Sequence, residues 1–242
     1  MELANYIETA IRSILKNPIL EVLTEIKITK ILKQSNFVKR NTGHSPFQIL
    51  LHFVYMIVMN KRQSTFIKKS TGTFGKDAYY RFLKESRYNW RKLLLLSTTT
   101  LLQKIKPLHK KGEHRLLIID DTVEVKRGKH IEGSCKYIWS NKEHRTINAL
   151  NIVSLNYADS HSTFQLDFSI KMNDSRRKDI SEFTSVVHHR SNTYMRQIES
   201  LKGKNILAIE MLERALEQGI DADYLLIDSW YAKPNFNIKL MS

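Results

Sequence analysis

The chain has one cysteine, no internal repeat, no low-complexity tract and no apolar run long enough to cross a bilayer. The lone Cys135 excludes an internal disulfide and a multi-cysteine zinc site. Its setting, Gly133-Ser134-Cys135-Lys136, contains nothing that would activate a thiol. The most apolar window, Ile49 to Met59, is interrupted by His52 and is too short for a transmembrane helix. Met1-Glu2-Leu3-Ala4-Asn5 lacks the basic-then-apolar order of a signal peptide, so a cytoplasmic location is expected. Acidic residues are scarce in the first half. Residues 1–110 carry 20 Lys and Arg against 6 Asp and Glu, whereas residues 111–242 carry 19 against 18. Such an asymmetry suggests a polyanion-binding module joined to a near-neutral one, because Lys and Arg neutralising phosphates dominate nucleic-acid affinity. Charge alone does not separate DNA from RNA or from an anionic membrane.

What is present is ordinary for a folded chain: 42% hydrophobic and 26% charged residues. The first hundred residues read as helical. Tyr6, Ile7, Ala10, Ile11, Ile14 and Leu15 fall at helical spacing and stop at Asn17-Pro18. Leu20, Leu23, Ile26 or Ile28 and Ile31 extend the pattern as one second helix. Ser45-Pro46 is a helix start leading into Phe47–Met59. Thr71–Gly75 reads as a turn, followed by helices over Lys76–Glu85 and Trp90–Ile105.

After the linker Lys110-Lys111-Gly112-Glu113, strand patterns begin. They cover 114–121, Thr146–Tyr157, and 163–171, where Phe164, Leu166, Phe168 and Ile170 alternate with polar neighbours as in a half-exposed antiparallel strand. Residues 171–190 are polar and loop-like, with room for a short helix. Thr193–Gln218 reads as one long helix with Ile206, Ile209, Leu212, Ala215 and Leu216 on its apolar side and Gly219 as its cap. Tyr224–Asp228 is the next strand. The expected fold is mixed, α+β or α/β. A basic helical domain over 1–110 precedes an incomplete RNase H-like mixed sheet with flanking helices over 111–242.

Two buried-strand patterns end on aspartate: Leu116-Leu117-Ile118-Ile119-Asp120-Asp121-Thr122 and Tyr224-Leu225-Leu226-Ile227-Asp228-Ser229. If these strands are neighbours, Asp121 and Asp228 meet and can share hard divalent cations such as Mg²⁺. Asp120 and Asp121 point to opposite faces of a strand, so only one of them joins such a site. A P-loop NTPase is set aside, because Gly203-Lys204-Asn205 lacks both the upstream glycine and the hydroxyl residue. Trp230-Tyr231 would pack against the site or stack on a base, or else belong to the core. His188-His189 point apart, and no third zinc ligand is suitably spaced.

Asp-Asp-Thr followed by Val123–Gly128, and later Asp-Ser-Trp-Tyr, resemble bacterial insertion-sequence transposases of the DDE type, in the IS-four-like group. Asp77–Leu83 followed by Tyr88-Asn89-Trp90-Arg91 resembles the helical segment that precedes their catalytic domain. The resemblance runs over about residues 45–240. It implies an RNase H-like domain, two divalent ions (Mg²⁺ or Mn²⁺), and strand cleavage and transfer at double-stranded transposon ends. It is compatible with a homodimer in the DNA complex. Matched residue by residue, the first acid, which directly precedes threonine, selects Asp121 over Asp120, and the second falls on Asp228. The family's third acid, a glutamate, follows the second aspartate, and no Asp or Glu lies between Asp228 and Ser242. A C-terminally truncated and inactive transposase is therefore expected. Candidate DNA-binding residues are Lys61, Arg62, Lys68, Lys69, Lys126, Arg127 and Lys129, with Ser175-Arg176-Arg177-Lys178 as a further phosphate-contacting run. Two rival readings remain: a non-catalytic DNA-binding protein acting as an inhibitor, and an RNase H-like nuclease drawing its third acid from Asp159, Asp167 or Asp174.

Overall fold

Alternating apolar residues and one strongly apolar helix face assemble a mixed α/β unit in the second half of the chain. The computed structural model describes residues 18–39, 43–60, 74–126, 135–140, 143–172 and 188–232. The chain divides into two compact units, Met1–Leu93 and Leu94–Ser242. The helix expected over residues 6–15, the turn residues Thr71–Thr73 and most of the 171–190 segment lie outside the described residues.

In the first unit, helices α1 (Pro18–Glu25), α2 (Ile28–Gln34), α3 (Pro46–Val58) and α4 (Lys76–Lys84) are described, and α5 (Trp90–Ile105) begins there and continues into the second unit. The single second helix expected from Leu20 to Ile31 is two helices. Lys27 between them takes a left-handed conformation (φ 55°), which breaks the hydrogen-bond ladder and turns the chain. Aromatic rings hold this unit together: Phe37 stacks on Tyr88 at 4.1 Å and meets Trp90 edge-on at 4.9 Å. The His52 ring nitrogen Nδ1 is 2.8 Å from the Tyr79 hydroxyl. Burial lowers the His52 pKa, favouring the neutral ring.

The second unit is built on a five-stranded sheet: β1 (Leu116–Val125), β2 (Cys135–Ser140), β3 (Arg145–Ala158), β4 (Thr163–Lys171) and β5 (Tyr224–Ile227). β3 is the hub. It pairs antiparallel with β1 along one edge, from Leu116↔Ala158 to Val125↔Ala149. Its other edge is divided between β2, which pairs with Arg145–Ala149, and β4, which pairs with Asn151–Ala158. β5 lies parallel to β1 on its far edge, with Leu116↔Tyr224 through Ile119↔Ile227 in register. A parallel neighbour requires a crossover, and helices α6 (Asn192–Glu199) and α7 (Lys204–Glu217) lie between β4 and β5 in sequence.

Four expectations change here. The helix expected over Thr193–Gln218 is two helices, separated at Ser200–Gly203. Ser200 folds its hydroxyl back to the Gln197 carbonyl at 2.6 Å, and Gly203 is a poor helix former that serves as the cap of α7. The buried face of α7 is Leu207, Ala208, Ile209, Met211, Leu212 and Ala215, whereas Ile206 and Leu216 are exposed. Ile209, Leu212 and Ala215 are buried as expected, and Leu207, Ala208 and Met211 complete the stripe at helical spacing in place of Ile206 and Leu216. The alternation of β4 is broken by a register shift at Leu155/Asn156, so Leu166 and Asp167 are both buried while Phe168 and Ile170 are only half-buried. Finally, β1 does not stop at Asp121. Thr122, Val123 and Val125 suit an extended strand, and β3 is long enough to keep pairing with them.

The core lies between the sheet and α7. Leu117, Ile119, Val153, Leu155 and Leu166 meet Leu207, Met211, Leu212 and Ala215, with Leu95 and Leu102 of α5 in the same cluster. Removing side chains such as Leu207 or Met211 from water stabilises the fold by about 2 kcal/mol each. Beneath α7, Arg214 Nε donates to the buried Asp167 carboxylate at 2.7 Å, and Arg214 Nη2 is 3.7 Å from Glu199. Gly219 closes α7 with φ 74°, a conformation that costs glycine little.

Candidate active site

Strand alternation sets the orientation of Asp121. Leu117 and Ile119 are buried under α7, and Asp121 is the next residue on that face; Asp120 and Thr122 are exposed on the other. The β5 ladder stops at Ile119↔Ile227, so Asp121 lies just past the region where β1 has a neighbour on that side. Asp228 is the first residue after β5. The two aspartates thus stand near the C-terminal limit of one parallel strand pair.

Each carboxylate is held by local groups. Asp121 Oδ2 accepts from the Lys204 ammonium at 2.6 Å, and Asp121 Oδ1 accepts from the Tyr231 hydroxyl at 3.3 Å. Asp228 Oδ1 accepts from the Trp230 backbone N–H at 3.2 Å and from the Ser229 hydroxyl at 3.0 Å. Those two donors, the Trp230 N–H foremost, and the nearby Lys204 charge hold the Asp228 pKa below the usual carboxylate value. The Tyr231 N–H donates to the Asp228 carbonyl at 2.9 Å, closing a turn that carries the phenol into the core. Burial first, then the charge and hydrogen bond of Asp121, push the Tyr231 phenol above its ordinary range, so it remains a protonated donor. Lys204 Nζ also lies 5.1 Å from the centroid of the Trp230 ring, within cation–π range.

Asp120 takes no part in this constellation. Its Oδ1 accepts from the Asp121 N–H at 2.8 Å, and its carbonyl accepts from the Ser154 hydroxyl at 3.3 Å. Asp159 follows the residue paired with Leu116, at the opposite end of β1, and is tied to His109 at 2.9 Å. Asp167 is committed to Arg214. Asp174 lies outside the described residues, as do Lys61, Arg62, Lys68, Lys69, Arg127, Lys129 and the 175–178 run. Lys126 is described, and its ammonium donates to Glu124 Oε1 at 3.1 Å. His188 and His189 are exposed; the His189 ring packs on Tyr194 at 4.8 Å.

Sequence reading missed Lys204 as a partner of Asp121, whereas it named Tyr231 as a residue that packs against the site or in the core. A signal existed for Lys204: a lysine in the opening turn of a helix is disfavoured by the helix dipole and calls for an acidic partner. Tyr231 does both: its ring is buried and its hydroxyl reaches Asp121. The donor set of Asp121 and Asp228 is carboxylate oxygen only, which suits a hard divalent ion completed by water and phosphate oxygens. Asp121 Oδ2 already has a cationic partner in the Lys204 ammonium at 2.6 Å. Among the described residues, no three His, Cys, Asp or Glu side chains gather to hold a metal, and no helix is long and apolar enough to cross a membrane.

Comparison with curated proteins and with solved structures finds no match. A family model described as DDE superfamily endonuclease matches residues 50–240, most of the chain and all of the sheet. A match of that extent, over strands that bring two aspartates to one end of a parallel pair, places the chain among the DDE superfamily endonucleases.

Proposed function

We propose that the chain is a transposase of the IS-four-like group that works on double-stranded DNA at insertion-sequence ends. Its second unit is read as an RNase H-like domain, and the basic region 1–110 as the helical DNA-binding part. The observation that carries this reading is the parallel pairing of β1 with β5, which brings Asp121 and Asp228 to neighbouring strands in a DDE endonuclease family member. The sheet supports it further: four strands joined by antiparallel pairings, then helices crossing over to a parallel strand beside the first.

In this reading Asp121 and Asp228 hold Mg²⁺ or Mn²⁺ through their carboxylate oxygens. Two such ions, when bound, supply the charge that activates water or a 3′-hydroxyl and stabilises the leaving oxygen in an in-line displacement. Tyr231 fixes one oxygen of Asp121, and the Trp230 N–H and Ser229 hydroxyl fix Asp228. Lys126, Arg127 and Lys129 follow Asp121 closely and position the DNA backbone without reading sequence. Lys61, Arg62, Lys68 and Lys69 grip phosphates in the same sense.

The test is metal-dependent nicking of DNA carrying the element's terminal repeats, comparing the chain with Asp121→Ala and Asp228→Ala. Loss of nicking in both variants supports the assignment, and equal nicking by the variants refutes it. Salt-sensitive DNA binding with no nicking under either metal points instead to the non-catalytic, inhibitory protein.

A further inference from the structure

The site already contains a cation of its own. Lys204 is the first residue of α7, where the helix dipole opposes positive charge, and its side chain is only 18% exposed. Its ammonium is nonetheless held there by Asp121 Oδ2 at 2.6 Å and by the face of Trp230 at 5.1 Å. Its charge also reaches Asp228, whose carboxyl it helps to keep acidic. With Tyr231 on Oδ1, both oxygens of Asp121 are engaged. A divalent ion held by Asp121 would meet the ammonium at close range, where like charges in a partly buried site repel strongly. The two cations therefore compete for Asp121 Oδ2.

We propose that Lys204 is an intramolecular counter-ion for Asp121 that a divalent metal must displace, so that this lysine sets the metal affinity of the site. The inference rests on the reading of Asp121 and Asp228 as metal ligands. Lys204 acts here as a positioning residue. It neutralises Asp121 before metal arrives and keeps the strand ends from repelling one another. Once displaced, its flexible stem leaves the ammonium free to meet a phosphate of the DNA, a role suited to a lysine point charge. The break between α6 and α7 at Ser200–Gly203 places Lys204 in the first turn of α7, from which its side chain reaches Asp121.

The experiment is Mn²⁺ titration of the full chain, without DNA, followed by electron paramagnetic resonance. It compares wild type, Lys204→Met, Lys204→Gln, Lys204→Arg, Asp121→Asn and Asp228→Asn. If the ammonium occupies Asp121 for nine-tenths of the time, removing it tightens Mn²⁺ binding about tenfold. Both neutral variants are expected to show this gain, and Lys204→Arg to stay near wild type. Two neutral replacements of different polarity guard against one of them failing to fold, which circular dichroism and thermal unfolding report. Unchanged or weaker Mn²⁺ binding in the neutral variants, with binding still lost in Asp121→Asn, overturns the lysine proposal alone. A gain in Lys204→Arg equal to that in Lys204→Met overturns it as well, because the charge would then be irrelevant. Mn²⁺ binding that neither aspartate variant alters overturns the metal-site reading together with this inference.

Discussion

The Tyr231 hydroxyl donates to Asp121 Oδ1 at 3.3 Å, linking residues 110 positions apart in sequence. The phenol is fully buried, and the turn that brings it there begins at Asp228. One side chain thereby couples the geometry around the second aspartate to the orientation of the first. Tyr231→Phe keeps the ring and removes the bond. It should cost about 1 kcal/mol in chemical denaturation. In an Asp121→Asn background that cost should shrink, and a double-mutant cycle with no coupling would show the bond to be inert.

The Arg214–Asp167 pair makes a sharper stability prediction. Asp167 is 1% exposed, and its partner reaches it through Nε at 2.7 Å. Asp167→Ala leaves a guanidinium under α7 with its principal partner gone, while Glu199 stands only at 3.7 Å. Breaking one side of a buried pair costs about 3 kcal/mol or more. Urea unfolding of Asp167→Ala should register a loss of that order, and Arg214→Met a loss at least as large, because it strands the more deeply buried Asp167 carboxylate without its cation.

Acid stability should report on Arg115. Its side chain, and then its backbone N–H, bond Asp223 and hold that carboxyl down at about 2. A pKa lower in the folded chain than in the unfolded one stabilises above the unfolded value and loses that contribution as pH falls toward the folded value. The unfolded value for aspartate is about 3.9. Thermal midpoints measured between about pH 4 and pH 2 should therefore fall less steeply in Asp223→Asn than in wild type. An identical slope in the two proteins would remove Asp223 from the account.

Helix α6 offers a local test. Ser191 caps it, and its Oγ accepts from the Tyr194 N–H at 3.2 Å. Ser191→Ala should destabilise the chain by about 1 kcal/mol in denaturant titration, and Ser191→Asp should recover most of the loss. A Ser191→Ala variant as stable as wild type would show that the cap contributes nothing.

Much of this was legible along the chain. Period-two and apolar-run patterns located β1, β3, β4 and β5, and the helix over Trp90–Ile105 has the bounds its sequence suggested. Strand β2 went unseen because a six-residue segment containing Cys135-Lys136 carries no clear alternation. The breaks at Lys27 and at Ser200–Gly203 were also missed, since each lies within an apolar pattern that continues past it. The buried Asp167 was hidden by an alternation that read cleanly until a register shift reversed it.

By itself the sequence determined that two aspartates follow aliphatic runs, that basic residues crowd the first 110 positions, and that the strand patterns lie in the second half. Those are properties of neighbouring residues, which local sterics and hydrophobic periodicity are enough to specify. Only the tertiary structure decided that β1 and β5 lie side by side, that Asp121 rather than Asp120 faces α7, and that Lys204 and Tyr231 share its two oxygens. These depend on strand register and on where a helix restarts, and both are settled by packing between segments far apart in the chain.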